Sequence, residues 1–151
     1  MENLQLFFSN TNSIGSYVVR ISTWGEYGHV GIYRDGFIIE ANPSLNGVMC
    51  RKFDRSEYSG YVIKTYDIPA SSVWDLAKTQ IGKPYDWSAI YGFAFRHNWQ
   101  KDDKWFCSEL VAWSTLKAGH QMLDKLSWRI SPQDLNQVVS INTQKNIIAN
   151  S

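Results

Sequence analysis

The chain has 151 residues, of which 44% are hydrophobic and 15% aromatic, enough apolar material for one ordinary domain with a single core. That composition excludes a disordered or collagen-like chain. The net charge is +1, and the 15 basic residues are scattered and form no stripe, which argues against a nucleic-acid partner.

Two cysteines, Cys50 and Cys107, allow at most one disulfide and suit a reducing compartment. The opening segment, Met1 to Phe8, has no basic region followed by a long apolar stretch, so no secretory signal is expected. No run reaches the roughly 18 apolar residues of a membrane span. The default location is therefore the cytoplasm. A substrate outside the cell would require lysis, as in a phage-encoded setting, or a dedicated export machine.

In chain order, Leu4 to Phe8 reads as a strand, followed by a turn-like Ser9 to Ser13. Ser16 to Ile21 fits either a strand or a short helix. Gly28 to Arg34 and Phe37 to Ala41 flank Asp35-Gly36, a two-residue hairpin signal. Val48 to Lys52 and Tyr61 to Tyr66 are further strands. From Ser71 the pattern turns helical through Val73, Trp74, Ala77 and Ile81, stopping at Gly82 and Pro84. Asp86 to Phe95 is a second helical candidate. Cys107 to Ala118 is a third, with Leu110, Val111, Ser114 and Ala118 on one face and Gly119 as its stop. Ser140 to Ser151 is polar and is read as a fraying tail. The expectation is a single α+β domain over residues 1–151, an antiparallel sheet packed against helices.

The hairpin carries the first chemical signal. If Arg34 pairs with Phe37, then Gly31 pairs with Glu40 and His29 with Asn42. His29, Gly31, Glu40 and Asn42 then share one face, with Val30, Ile32, Ile39 and Ala41 on the other. His29 and Glu40 become diagonal neighbours, within reach of a glutamate side chain. A carboxylate on one imidazole nitrogen fixes the tautomer and leaves the other nitrogen as a base. Asn42 is the competing orienting residue. The plainer alternative is a surface histidine on a solvated sheet face.

The second signal is Cys107, placed where Trp105-Phe106 leads into a helix. A helix N-terminus has unsatisfied N–H groups and partial positive charge, which favour thiolate over thiol and can hold an oxyanion. The plainer alternative is a buried structural cysteine. Cys50 lies in a strand with no helix start nearby and is read as structural.

Together these residues resemble a known family. Gly82-Lys83-Pro84-Tyr85-Asp86-Trp87, followed by Phe106-Cys107-Ser108-Glu109-Leu110-Val111, resembles the nucleophile region of the NlpC-type papain-like cysteine peptidases. His29 to Tyr33 and Ile39 to Ala41 resemble that family's histidine strand and the strand after it. Here the histidine precedes the cysteine. That order resembles the circularly permuted branch, which includes YiiX-like and YebB-like bacterial and phage proteins and, more distantly, the lecithin retinol acyltransferase group. Ser131-Pro132 with Asp134-Leu135 is similar to a segment near the end of the permuted proteins. The resemblance runs from about Tyr17 to Leu135.

The resemblance implies a permuted papain-like fold with Cys107 as nucleophile, His29 as base and Glu40 as orienting group. Tyr85, and the Ser108 position beside the nucleophile, would bind the oxyanion or position substrate. Glu109 suits the helix dipole and is read as structural. The implied activity is cysteine-dependent hydrolysis of an amide or peptide bond, cell-wall peptides among the substrates. The alternatives are a lipid or thioester acyltransferase, a lipid hydrolase, and a non-catalytic binding domain on the same scaffold. No cofactor is implied, and no histidine or cysteine pair has zinc-like spacing. His97 and His120 are read as solvent-facing or helix-end residues. Trp24, Trp87, Trp99 and Trp105 are candidates to line a cleft, and Asp102-Asp103-Lys104 reads as a solvated loop.

Overall fold

The computed structural model describes residues 1–10, 26–58, 60–88, 104–125 and 130–147. The segment Ser16 to Ile21, most of the candidate helix over Asp86 to Phe95, and Trp24, His97, Trp99, Asp102 and Asp103 lie outside the described residues.

Asp35 and Gly36 both take positive φ, 50° and 81°, the backbone that a two-residue hairpin with the natural strand twist requires. They join β2 (His29–Arg34) to β3 (Phe37–Asn42), with Arg34 opposite Phe37 and Ile32 opposite Ile39. This register puts Val30, Ile32, Ile39 and Ala41 on one face, and all four are buried.

β1 (Asn3–Ser9) pairs with β2, and β4 (Gly47–Lys52) pairs with β3. β5 (Gly60–Pro69) then crosses to the far side of β1. β6 (Asn142–Ile147) adds beyond β5, giving six antiparallel strands in the order β4-β3-β2-β1-β5-β6. The polar stretch 140–151, which the sequence marks as a fraying tail, contains residues 142–147. They pair instead, because the open edge of β5 supplies backbone partners for a segment whose side chains signal no strand. The Ile141 N–H donating to the Thr65 carbonyl at 2.8 Å starts the pairing.

Among the described residues three α-helices lie between β5 and β6: α1 (Ala70–Lys78), α2 (Cys107–Lys117) and α3 (Pro132–Gln137). α1 stops at Lys78, short of Ile81, which is exposed. α2 packs against β2, β3 and α1. The main core lies between this helix layer and one sheet face, from Leu4, Leu6, Phe8, Val30 and Ile32 to Val73, Leu110 and Val111. Burial runs almost around α2, from Cys107 to Ala112 and again at Ser114 and Thr115, so the single apolar face read from the sequence is too narrow. Ser114 and Thr115 satisfy their hydroxyls on carbonyls of the preceding turn. The helix ends in a Schellman motif: Gly119 takes φ 88°, and the His120 N–H reaches back to the Thr115 carbonyl at 2.9 Å.

The Ser131-Pro132-x-Asp134 pattern is a capping box that starts α3. Ser131 accepts from the Asp134 N–H at 3.1 Å, and the Asp134 carboxylate accepts from the Ser131 N–H at 2.8 Å. Among the described residues, no helix is long and apolar enough to cross a membrane.

The opposite sheet face is not solvated. Phe7, Ile38, Tyr58, Tyr61 and Ile63 form a second cluster with Tyr33 and Phe53 packed against it. Phe7 meets Tyr58 edge-on at 4.7 Å, and Phe53 stacks over Tyr58 at 5.9 Å. Glu40 lies two residues along β3 from Ile38, so it belongs to this face, beside an aromatic layer.

Candidate active site

His29 is the first residue of β2 and is 5% exposed; Glu40, near the end of β3, is 1% exposed. The His29 Nε2–H donates to Glu40 Oε2 at 2.5 Å. The diagonal placement read from the hairpin is therefore a direct contact. Nδ1 is the nitrogen left for another partner, and Cys107 stands near enough to the ring to raise its pKa.

Burial alone would lower the His29 pKa. The Glu40 carboxylate and the contacts with Cys107 outweigh it and hold the imidazole up at about 10. Burial likewise opposes ionisation of Glu40. The His29 charge and hydrogen bonds from His29, Arg51 and Asn42 overcome this and hold the carboxyl down at about 2.

The Asn42 side chain bonds to the carboxylate. Its Nδ2 donates to Glu40 Oε1 at 3.0 Å, and its Oδ1 accepts from the Ser44 N–H at 2.9 Å. It thus holds the carboxylate while capping the short turn Pro43–Leu45.

Arg51, on β4, is the site residue that sequence reasoning missed. Its Nε donates to Glu40 Oε1 at 2.7 Å. The signal was available only through the register of β4 on β3, where Arg51 pairs with Ile38 and Glu40 with Met49. The Asn46-Gly47 dipeptide would suggest a two-residue loop, but the loop is the four residues from Pro43 to Asn46 with Asn42 opposite Gly47, so a count from that dipeptide gives the wrong register.

Cys107 opens α2 and is 1% exposed. The residue before it, Phe106, is extended (φ −92°, ψ 154°) and has no side-chain acceptor to cap the helix. The first backbone bond of the helix runs from the Leu110 N–H to the Phe106 carbonyl at 3.0 Å. The N–H groups of Cys107 and Ser108 therefore have no acceptor within the helix. The Ser108 hydroxyl is committed elsewhere: it donates to the Ile130 carbonyl at 2.5 Å in a fully buried position. Only its backbone N–H is left to face a bound oxygen. The other cysteine, Cys50, is exposed on β4, and partial burial pushes its thiol pKa up while Lys78 pulls it down.

Tyr85 is 4% exposed and stands near enough to Cys107 to feel its charge. Burial, then Cys107 and Asp86, push its phenol well above the usual range, so it is a donor. Two backbone bonds lock it in place: the Trp105 N–H donates to the Pro84 carbonyl at 3.0 Å and the Asp86 N–H to the Trp105 carbonyl at 2.9 Å. On the other side Gly47 lets the segment dock against β4, because a β-carbon there would stand 2.5 Å from the Lys83 carbonyl oxygen. Trp87 is half-exposed and meets Tyr85 edge-on at 5.2 Å. Trp105, read as a cleft candidate, is instead a core residue whose indole donates to Gln80 Oε1 at 3.1 Å.

Comparison with solved structures finds similar folds. Among them is the crystal structure of metalloprotein yiiX from Escherichia coli O157:H7, with a TM-score of 0.72 over 95% of this chain and 96% of that one, at 20% identity. The chain therefore has a yiiX-like α+β fold. No family model matches it, and no curated protein does.

Proposed function

We propose that this chain is a cysteine-dependent hydrolase on a circularly permuted, NlpC-type papain-like scaffold, acting on an amide or peptide bond through an acyl-thioester. One observation carries the reading: His29 has a carboxylate on Nε2 and Cys107 close enough to act on its ring, with that thiol at a helix N-terminus that no side chain caps. An imidazole held in this way can keep the cysteine as thiolate and itself as imidazolium.

In the proposed reaction Cys107 Sγ attacks the carbonyl carbon and forms a C–S bond, while the carbonyl oxygen takes the negative charge. The backbone N–H groups of Cys107 and Ser108 and the phenol of Tyr85 donate to that oxygen. Collapse breaks the bond to the leaving amine, which takes its proton from the His29 imidazolium. Water then attacks the thioester and gives a proton back to His29, releasing the acid and restoring the thiolate. Glu40 holds the ring in the required tautomer throughout.

The structural relative is described as a metalloprotein, and a metal would need donors at this site. Among the described residues no group of three or more His, Cys, Asp and Glu side chains could hold an ion. Glu40 is occupied by His29, Asn42 and Arg51, and His29 Nε2 by Glu40. What remains is Nδ1 and Sγ, fewer donors than the three or four protein ligands of a zinc site. The described residues do not fit a metal.

The test is alkylation by iodoacetamide as a function of pH, read by mass spectrometry, with Cys50 as internal reference. Cys107 should label faster than Cys50 at about pH 6, where an ordinary thiol near 8.5 is almost wholly protonated. The advantage should vanish in His29→Ala. A Cys107 that labels no faster than Cys50, or equally in both proteins, overturns the reading and leaves a binding domain.

A further inference from the structure

The carboxylate of Glu40 divides its work. Oε2 accepts from His29, and Oε1 accepts from Asn42 and from Arg51. Arg51 is fixed in turn by its other two nitrogens. Nη1 donates to Glu57 Oε2 and Nη2 to the Tyr58 hydroxyl, each at 2.5 Å. All three guanidinium nitrogens are thus engaged, in a fork that lysine cannot copy. Tyr58 is 2% exposed and belongs to the aromatic cluster, so the arginine is tied to a rigid layer.

We propose that Arg51 is a positioning residue of this site that acts through Glu40: its guanidinium holds the carboxylate against His29 and draws on its charge, so that the imidazolium can surrender its proton. The proposal rests on the reading of His29 as the group that takes and gives that proton. A buried carboxylate at 2.5 Å, left alone with the imidazole, binds the imidazolium proton so firmly that transfer to a leaving group is opposed. A cation on the far oxygen counters that pull. The groups that act on His29 come from three elements: Glu40 on β3, Arg51 on β4 through Glu40, and Cys107 on α2. Glu57 and Tyr58 reach Arg51 from the turn after β4, and Tyr85 acts on Cys107.

A purely structural arginine predicts the opposite sign. Loss of such an anchor frees Glu40 and lets the His29 titration fall towards that of an ordinary histidine.

The experiment is an NMR titration of His29 through its long-range 15N correlations in the full chain, assigned by loss of the signal in His29→Gln. It is done in a Cys107→Ala background. The thiol itself holds His29 up, so its removal brings the midpoint to a pH range that is easier to reach. In Arg51→Gln the midpoint should rise by about one unit, and in Arg51→Lys by less, since the cation remains and the fork is lost. A midpoint that is unchanged or lower in folded Arg51→Gln overturns the proposal. If Arg51→Gln does not fold, Arg51→Lys decides: a smaller rise supports it, and no rise or a fall overturns it. The titration does not use Cys107 reactivity, so failure of the hydrolase reading shows separately in the labelling experiment.

Discussion

Gly31 and Glu40 approach so closely across the hairpin that a β-carbon on Gly31 would stand 3.2 Å from that of Glu40 and 2.8 Å from Ile38 Cγ2. The absence of a side chain at Gly31 is what lets the glutamate lie flat enough to meet His29. Gly31→Ala should push Glu40 and Ile38 aside at a cost of about 1–3 kcal/mol, the usual range for overpacking. Urea denaturation reads that cost, and iodoacetamide labelling reads the site. Slower labelling of Cys107 at pH 6 in the folded variant is the expected result. Unchanged labelling would mean that His29 is held by something other than Glu40.

The contact between His29 and Glu40 was legible because three local facts sufficed. Asp35-Gly36 names the turn type, the turn fixes the register, and the period of two assigns the faces. The apolar face of the same hairpin was legible for the same reason. Arg51 was not, since Asn46-Gly47 suggests a two-residue loop while the turn runs over the four residues from Pro43 to Asn46. The burial of the His29 face was missed too. It depends on Phe53 and Tyr58, which lie outside the strands that sequence periodicity can find. β6 escaped because an edge strand can be held by backbone bonds alone.

The buried pair gives stability a definite pH window. His29 has a raised pKa, so its contribution is complete below the ordinary 6.5 and is lost as pH rises through about 10. Glu40 has a lowered pKa, so its contribution is complete above the ordinary 4.5 and is lost as pH falls through about 2. Both are complete between 4.5 and 6.5. The urea midpoint should be highest there and fall on either side. Glu40→Gln leaves the imidazolium and the guanidinium without their shared anion, and should cost about 3–5 kcal/mol at pH 6. Its alkaline decline should end nearer neutrality than in the parent. An alkaline limb that ends at the same pH would show that Glu40 does not hold the proton on His29.

Tyr85 separates packing from chemistry. Its ring meets Trp87 at 5.2 Å and Phe106 at 6.0 Å, and Tyr85→Phe keeps both contacts while removing the hydroxyl. The melting temperature should change little. If the phenol donates to the oxyanion, kcat on an activated ester or amide should fall by about 100- to 1000-fold, as on loss of one such donor. The Cys107 labelling rate should stay near the parent value, since alkylation forms no oxyanion. Equal turnover in Tyr85→Phe would reduce the residue to a packed aromatic and leave the two backbone N–H groups as the donors.

Ser108 poses the converse case, since family resemblance sets it beside the nucleophile while its hydroxyl is spent on the Ile130 carbonyl. That bond ties the start of α2 to the segment leading into α3, in a position with no solvent access. Ser108→Ala deprives a buried carbonyl of its donor and should lower stability by about 1–3 kcal/mol, measured by urea denaturation. It leaves the backbone N–H of residue 108 in place, so kcat and the rate of Cys107 labelling in the folded fraction should stay within about threefold of the parent, a barrier change of about 0.7 kcal/mol. A variant as stable as the parent but slower by 100-fold would reverse the assignment. The hydroxyl would then turn from Ile130 to the substrate during the reaction, and the bond to Ile130 would be a resting position.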